Sequence, residues 1–301
     1  MTNELRLGIV GLDTSHAVAF TEILHSASHP WHVPGARVDA AWPGGSPDFE
    51  LSISRVKGFS DKVREKYGVE ILATPEAVAE RCDAILLESA DGRVHLEQFR
   101  RIAPFGKPVF VDKPFACSSD DARRLVELAR RHGVPVMSCS PLRYAENLTA
   151  ALADAGGGAI LGADCFGPMD LQPTQPGLFW YGIHIVEMLY AALGRGCREV
   201  TAVTNPDYDV VVGRWSDGRL GTVRGNRKRN KHFGGLIHRE TTVAGVDVTA
   251  QAKPTYASLL ERVVKFARDR QEPVPLDETV EIIRFIEAAN ESRETGGTVT
   301  L

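Results

Sequence analysis

Over its first 140 residues the chain alternates short apolar runs with amphipathic helical patterns, and this alternation restricts the possible folds most. Strand-like runs fall at 5–10, 36–42, 69–72, 84–87, 108–111 and 134–138. Helical apolar spacing occupies 17–24, 56–67, 75–81, 94–103 and 122–131. Strand, helix and strand in succession require right-handed crossovers, so the strands lie parallel in one sheet with helices on both faces. The last helix is punctuated accordingly. Ser118 and Asp121 read as a capping box, Arg130, Arg131 and His132 suit the negative helix end, and Gly133 follows as the stop.

The rhythm changes after residue 140. Helices are expected at 142–155, ending in Gly156-Gly157-Gly158, and at 179–193. Strand-like runs follow at 200–204, 209–215, 220–224 and 241–248, with Asp217-Gly218 as a hairpin turn between two of them. Two more helices, 257–268 and 277–290, precede a last strand at 298–301. The expectation is an α/β protein with two domains. Residues 1–140 form a dinucleotide-binding (Rossmann-type) parallel sheet, and residues 141–301 an α+β domain with an open, mainly antiparallel sheet. A chain of 301 residues is long enough for two cores.

Charge and composition exclude several classes. A net charge of −4 speaks against a nucleic-acid partner, and the basic run 224–232 reads as a solvated hairpin loop. No apolar stretch approaches membrane-spanning length, and the amino terminus enters a strand pattern directly, so a cytoplasmic protein is expected. Five scattered cysteines without a CxxC pair indicate neither a disulfide framework nor a four-cysteine zinc site. The cluster His25, His29 and His32 has helix-like ligand spacing in its first pair but sits at a helix end by Pro30 and reads as solvated; no metal is expected.

The chemistry-bearing motifs begin with a strand ending at Gly11 and opening into a helix, the place where this fold holds a pyrophosphate. An ordered set follows: SADGRVH ending at His95, GKPVFVDKPFA over 106–116, YGIHIVEMLYAALG over 181–194, and the ending PVPLDETVEIIRFIEAANES. In these motifs the sequence resembles the Gfo/Idh/MocA family of dehydrogenases acting on sugars, inositols and related polyols. The most specific parts are Asp112-Lys113-Pro114 and the helix bearing His184.

The resemblance implies a catalytic lysine at Lys113, with Asp112 in place of the family's glutamate. It implies a facing His-x-x-Asp pair, matched by His184 and Glu187. The chemistry fits independently of the family. Oxidising a secondary alcohol needs a base for the hydroxyl proton and a cation against the developing alkoxide. Histidine titrates near neutrality and lysine supplies charge and donors. On a helix, His184, Glu187 and Ala191 share a face, while Ile183, Val186, Tyr190 and Leu193 form the apolar stripe that buries. Glu187 is expected to orient or tune His184. Arg143 is the candidate for recognising an anionic substrate group, with Tyr181 and His184 beside it.

For the cofactor, NAD or NADP, the resemblance assigns Gly11, Leu12, Asp13, Thr14, Ser15, His16, Ser89, His95, Asp112 and Lys113. The fingerprint departs from the family here. The second and third glycines of G-x-G-x-x-G are Asp13 and His16, and Trp42-Pro43 stands where an acidic residue holds the adenosine ribose. Ala90 replaces a proline expected near the nicotinamide ribose. A carboxylate at ~4 Å from a phosphate costs on the order of 4 kcal/mol at an effective dielectric of about 20. Alternatively Asp13, Thr14 or Ser15 caps the helix itself. The reading is an NAD(P)-dependent dehydrogenase of a sugar, polyol or keto-sugar. Its alternative is a non-redox lyase, epimerase or isomerase using Lys113 and His184 for proton transfer. A small-molecule substrate and a homodimer or homotetramer are expected, with no membrane partner.

Overall fold

Residues 4–301 are described by the computed structural model of the chain. The first half runs β1 (Leu5–Val10), α1 (Ser15–His25), β2 (Ala36–Trp42), α2 (Glu50–Tyr67), β3 (Glu70–Ile71), α3 (Pro75–Arg81), β4 (Ala84–Leu87), α4 (His95–Ile102), β5 (Val109–Val111), α5 (Ser119–His132) and β6 (Val136–Ser138). All six strands are parallel, in the order β3-β2-β1-β4-β5-β6. This is the doubly wound order, with its switch point between β1 and β4. Helices cover both faces, so central strands are apolar throughout rather than alternating; all four residues of β4 are buried. Thr14 caps α1 and Gly133 is left-handed at φ 62°, as read from the sequence, and Thr74 caps α3 ahead of Pro75.

The second half runs α6 (Glu146–Ala153), β7 (Ile160–Pro168), α7 (Gly182–Leu193), β8 (Cys197–Thr204), β9 (Tyr208–Trp215), β10 (Leu220–Asn226), β11 (Gly234–Arg239), β12 (Val243–Asp247), α8 (Thr255–Asp269), α9 (Leu276–Thr295) and β13 (Val299–Thr300). Its sheet has the order β12-β11-β7-β10-β9-β8-β13, antiparallel except for β10 beside β7. α7 packs against β7 and β10. Among the described residues no helix is long and apolar enough to cross a membrane.

Several expectations are corrected. The second domain is not the continuous segment 141–301, because residues 256–276, including most of α8, belong to the first compact unit. There Tyr256 sets its ring edge against His16 and Phe20, Arg268 donates to the Gly35 carbonyl at 2.7 Å, and Glu272 accepts from the Val136 amide. Two strands, β7 and β11, lack a strand-like apolar run because glycine and aspartate interrupt it. The basic segment after β10 is not a hairpin. β10 and β11 flank β7 on opposite sides, so the chain crosses over β7. Arg227 of that segment turns inward to pair with the buried Asp209, which Arg293 also contacts at 2.8 Å. The expected helix 142–155 is a 3-10 turn, Pro141–Tyr144, followed by α6. The three histidines near Pro30 are not simply solvated. His25 Nε2 accepts from the Val38 amide at 3.0 Å, His29 Nδ1 accepts from the Trp31 amide, and His32 Nδ1 lies 3.0 Å from the Ile23 carbonyl.

Candidate active site

The β1–α1 loop is built on close approach. Gly11, at φ 101°, lies so near the end of β4 that a Cβ there would stand 2.4 Å from Ser89 Oγ and 2.5 Å from the Ser89 amide nitrogen. Only glycine fits that position and that conformation. Thr14 is the N-cap of α1, its hydroxyl accepting from the His16 amide at 3.3 Å, while Ser15 is exposed in the first turn. The Leu12 side chain is wholly buried, and its amide donates to the Pro43 carbonyl at 2.7 Å.

Asp13 does neither of the things expected of it. Its carboxylate is 0% exposed and turned into the protein, accepting from Ser52 Oγ at 2.5 Å and from the Ala90 amide at 3.0 Å. Burial raises its pKa, and the bonds from Ser52 and Ala90 oppose that rise. The inward turn corrects the expected repulsion, since the charge does not lie along the path of a docking phosphate. Instead Asp13 ties the β1–α1 loop to α2 and to the loop after β4. Arg93 adds a second tie. Its guanidinium pairs with Asp91 at 2.7 Å and, through both terminal nitrogens, with Asp48 at 2.9 Å.

Polar groups crowd the ends of β4 and β5. His16 Nδ1 lies 2.9 Å from Asp112 Oδ2 and 3.8 Å from Glu88 Oε2. Burial and the neighbouring Asp112 push the Glu88 carboxyl well above the ordinary carboxylate range. Burial acts in the same direction on Asp112, but His16 and Lys113 outweigh it and bring its pKa down to about 2. The Ser89 hydroxyl is buried without a hydrogen-bond partner. Lys113, half-buried, follows directly and is joined to Pro114 by a cis peptide bond. His95 is corrected as a cofactor contact. It is 0% exposed, and its ring nitrogens lie 2.8 Å from the Ser89 carbonyl and 3.3 Å from the Phe115 carbonyl. It braces the two strand-end loops.

These residues fit a dinucleotide at the switch point. The Gly11 approach, the N-terminus of α1 and the orphaned Ser89 hydroxyl would hold it, with Lys113 at the adjoining strand end.

The second unit carries its own polar cluster on α7. His184 Nδ1 is 2.7 Å from Ser140 Oγ, and the imidazole meets the rings of Tyr181 and Phe233 edge-on at 5.7 and 5.8 Å. Ser140, which also accepts from the Leu142 amide, is the partner that sets the imidazole's orientation. Glu187 does not share a solvent-facing stripe with His184; it is 2% exposed and bonded to Arg143 Nη1 at 3.0 Å. Burial raises the Glu187 carboxyl to about 7, Arg143 opposing and Glu278 adding to the rise. Arg143 is clamped between Glu187 and Glu278, its side chain only 12% exposed. That placement corrects its expected role as an anion receptor, since both ends of the guanidinium are committed to carboxylates. The motifs did not reveal Glu88, Ser52 or Glu278. Strand order offered a signal for Glu88, the first residue beyond β4, which adjoins β1.

The fold and these strand-end groups define a Rossmann-type dinucleotide-binding architecture, and comparison with known proteins agrees. Residues 6–139 match the GFO_IDH_MocA family, an oxidoreductase family with an NAD-binding Rossmann fold. The matched segment is the parallel-sheet half of the chain, which carries the Gly11 and Asp112-Lys113-Pro114 motifs. Solved structures share the fold over the whole length. A probable dehydrogenase from Thermotoga maritima superposes with TM-score 0.80 at 19% identity, covering 98% of each chain. A myo-inositol dehydrogenase from Corynebacterium glutamicum gives 0.78 at 19% identity, over 99% of each chain. A scyllo-inositol dehydrogenase from Lactobacillus casei, with bound NAD(H) and scyllo-inositol, gives 0.79 at 15% identity, over 99% of each chain. At these identities the structural likeness establishes architecture only.

Proposed function

We propose that the chain is an NAD(P)-dependent dehydrogenase of a sugar, polyol or keto-sugar, with Lys113 and His184 as its catalytic pair. The family match over residues 6–139 carries the redox reading, and the polyol substrates of structurally similar proteins support the substrate class. A nicotinamide dinucleotide held at Gly11, the α1 N-terminus and Ser89 would supply the hydride acceptor. His184 takes the hydroxyl proton, and the Lys113 ammonium stabilises the negative charge that develops on oxygen as the carbonyl forms. Ser140 is the positioning residue for His184, and Glu187 with Arg143 supports the helix on which it sits. Exposed apolar residues on one sheet face, Leu220 and Leu236 among them, support a homodimer or homotetramer. Among the described residues no disulfide links the five cysteines, which suits a cytoplasmic protein.

A second reading, proton transfer without redox chemistry on the same scaffold, rests on Trp42-Pro43 standing where an acidic residue would hold the adenosine ribose. One experiment separates the two. NAD and NADP are titrated into the protein by calorimetry, and nicotinamide reduction is followed with a panel of inositols, aldoses and alditols. Dinucleotide uptake with turnover of at least one panel member is expected. Absence of uptake for both dinucleotides would transfer the assignment to the lyase, epimerase or isomerase class.

A further inference from the structure

We propose that His16, Glu88 and Asp112 form a binding site for a divalent transition-metal ion. The three side chains come from three separate segments: the first turn of α1 and the residues just beyond β4 and β5. One ligand atom from each lies within 4.8 Å of the others. The imidazole nitrogen is 2.9 Å from one carboxylate oxygen and 3.8 Å from the other. Ligand bonds of about 2.0–2.2 Å in tetrahedral or octahedral geometry set neighbouring donor atoms roughly 2.8–3.6 Å apart. Small side-chain adjustments therefore bring these three atoms onto one ion.

An independent observation points to a ligand. Glu88 is 0% exposed, yet neither of its carboxylate oxygens has a hydrogen-bond partner, and Oδ1 of the buried Asp112 has none either. Buried carboxylate oxygens are nearly always satisfied. Here an unpaired Glu88 oxygen lies 3.8 Å from the same imidazole nitrogen that meets Asp112, an arrangement that a cation satisfies at once. The donor set also specifies the kind of ion. One imidazole and two carboxylates suit zinc, manganese or ferrous iron, and lack the thiolates that would select copper(I). Three protein ligands leave at least one coordination position for water or a ligand oxygen. The His16 side chain, 9% exposed, is the member of the set that reaches the surface. Tyr256 and Phe20 pack on the imidazole and fix its plane. The site lies wholly within the first compact unit and does not depend on the redox assignment.

The test uses the full-length, tag-free protein after chelator treatment. Manganese(II) and zinc(II) chlorides are titrated by calorimetry, and retained metal is measured by mass spectrometry after desalting. One equivalent per chain is expected. Glu88→Gln, which keeps shape but removes the charge, is expected to weaken binding at least tenfold with an unchanged circular dichroism spectrum. In crystals soaked with manganese, an anomalous peak is expected between His16 Nδ1 and the two carboxylates, and this readout needs no variant. No stoichiometric uptake by the wild-type protein, equal uptake by a folded Glu88→Gln variant, or an anomalous peak elsewhere would overturn the site. The cluster would then be a buried group that holds a proton in place of a metal.

Discussion

At the residue scale, Lys113 and Glu187 show how differently two polar side chains of one protein are held. Lys113 is half-buried at a strand end and contributes charge rather than core volume. Lys113→Met should therefore lower turnover roughly a hundredfold or more while leaving the melting temperature within a few degrees of wild type. A variant that keeps most of its kcat would remove Lys113 from the mechanism. Glu187 is wholly buried, with a pKa raised to about 7 from an ordinary 4.5. The folded state thus holds this proton more tightly than the unfolded chain does. That contribution to stability is fully present below the unfolded value and is lost as pH rises through about 7. Glu187→Gln still offers Arg143 an acceptor but cannot ionise. Melting curves across that window should show a flatter decline for the variant, and parallel curves would contradict the assignment. The residues themselves were legible as candidates from their motifs. Their partners were not, because Ser140, Glu278 and Glu88 lie far away in sequence and meet them only through the fold.

At the scale of elements, the β1–α1 loop is the part where a one-dimensional reading goes furthest wrong. Aligning Asp13 with a glycine of the fingerprint implies a carboxylate pointing at phosphate. The structure turns it inward to Ser52 on α2 and to the Ala90 amide. Asp13→Gly is thus expected to leave a buried hydroxyl and a buried amide without their acceptor, at a cost of about 1–3 kcal/mol each at most. Urea denaturation should place the variant's midpoint below wild type. An unchanged midpoint, together with tighter dinucleotide binding, would restore the repulsion argument. The parallel sheet was legible because buried central strands are apolar along their length and helices separate them. β7 and β11 were not legible, since glycines and an exposed polar face dilute their pattern. Their antiparallel pairing with each other is a property of the sheet, not of either segment.

At the scale of the whole molecule, the seven-stranded sheet presents a face on which Val203, Leu220, Leu236 and Val243 are 72%, 53%, 42% and 58% exposed. Light scattering coupled to gel filtration should find a dimer or tetramer at micromolar concentration, and Leu220→Asp should shift it toward the monomer. A monomeric wild-type protein would rule out this face as a subunit contact. The return of residues 256–276 to the first unit has a consequence for folding. A fragment ending at residue 139 lacks Tyr256 on the His16 and Phe20 rings and the Arg268 bond to Gly35. It should bind a hydrophobic dye and melt with poor cooperativity, whereas a fragment that folded as sharply as the whole chain would show that α8 is dispensable.

By itself the sequence determined the class of fold, the order of strands and helices in the first 140 residues and the identity of its motif residues. These depend on periodicity, caps and short contiguous motifs, all of which are local along the chain. Tertiary structure alone decided that Asp13 faces inward, that Arg143 is held by two carboxylates, that α8 completes the first unit, and that His16, Glu88 and Asp112 converge. Each of these depends on contacts between segments distant in sequence, where burial and charge are set by whichever neighbours the crossovers bring together.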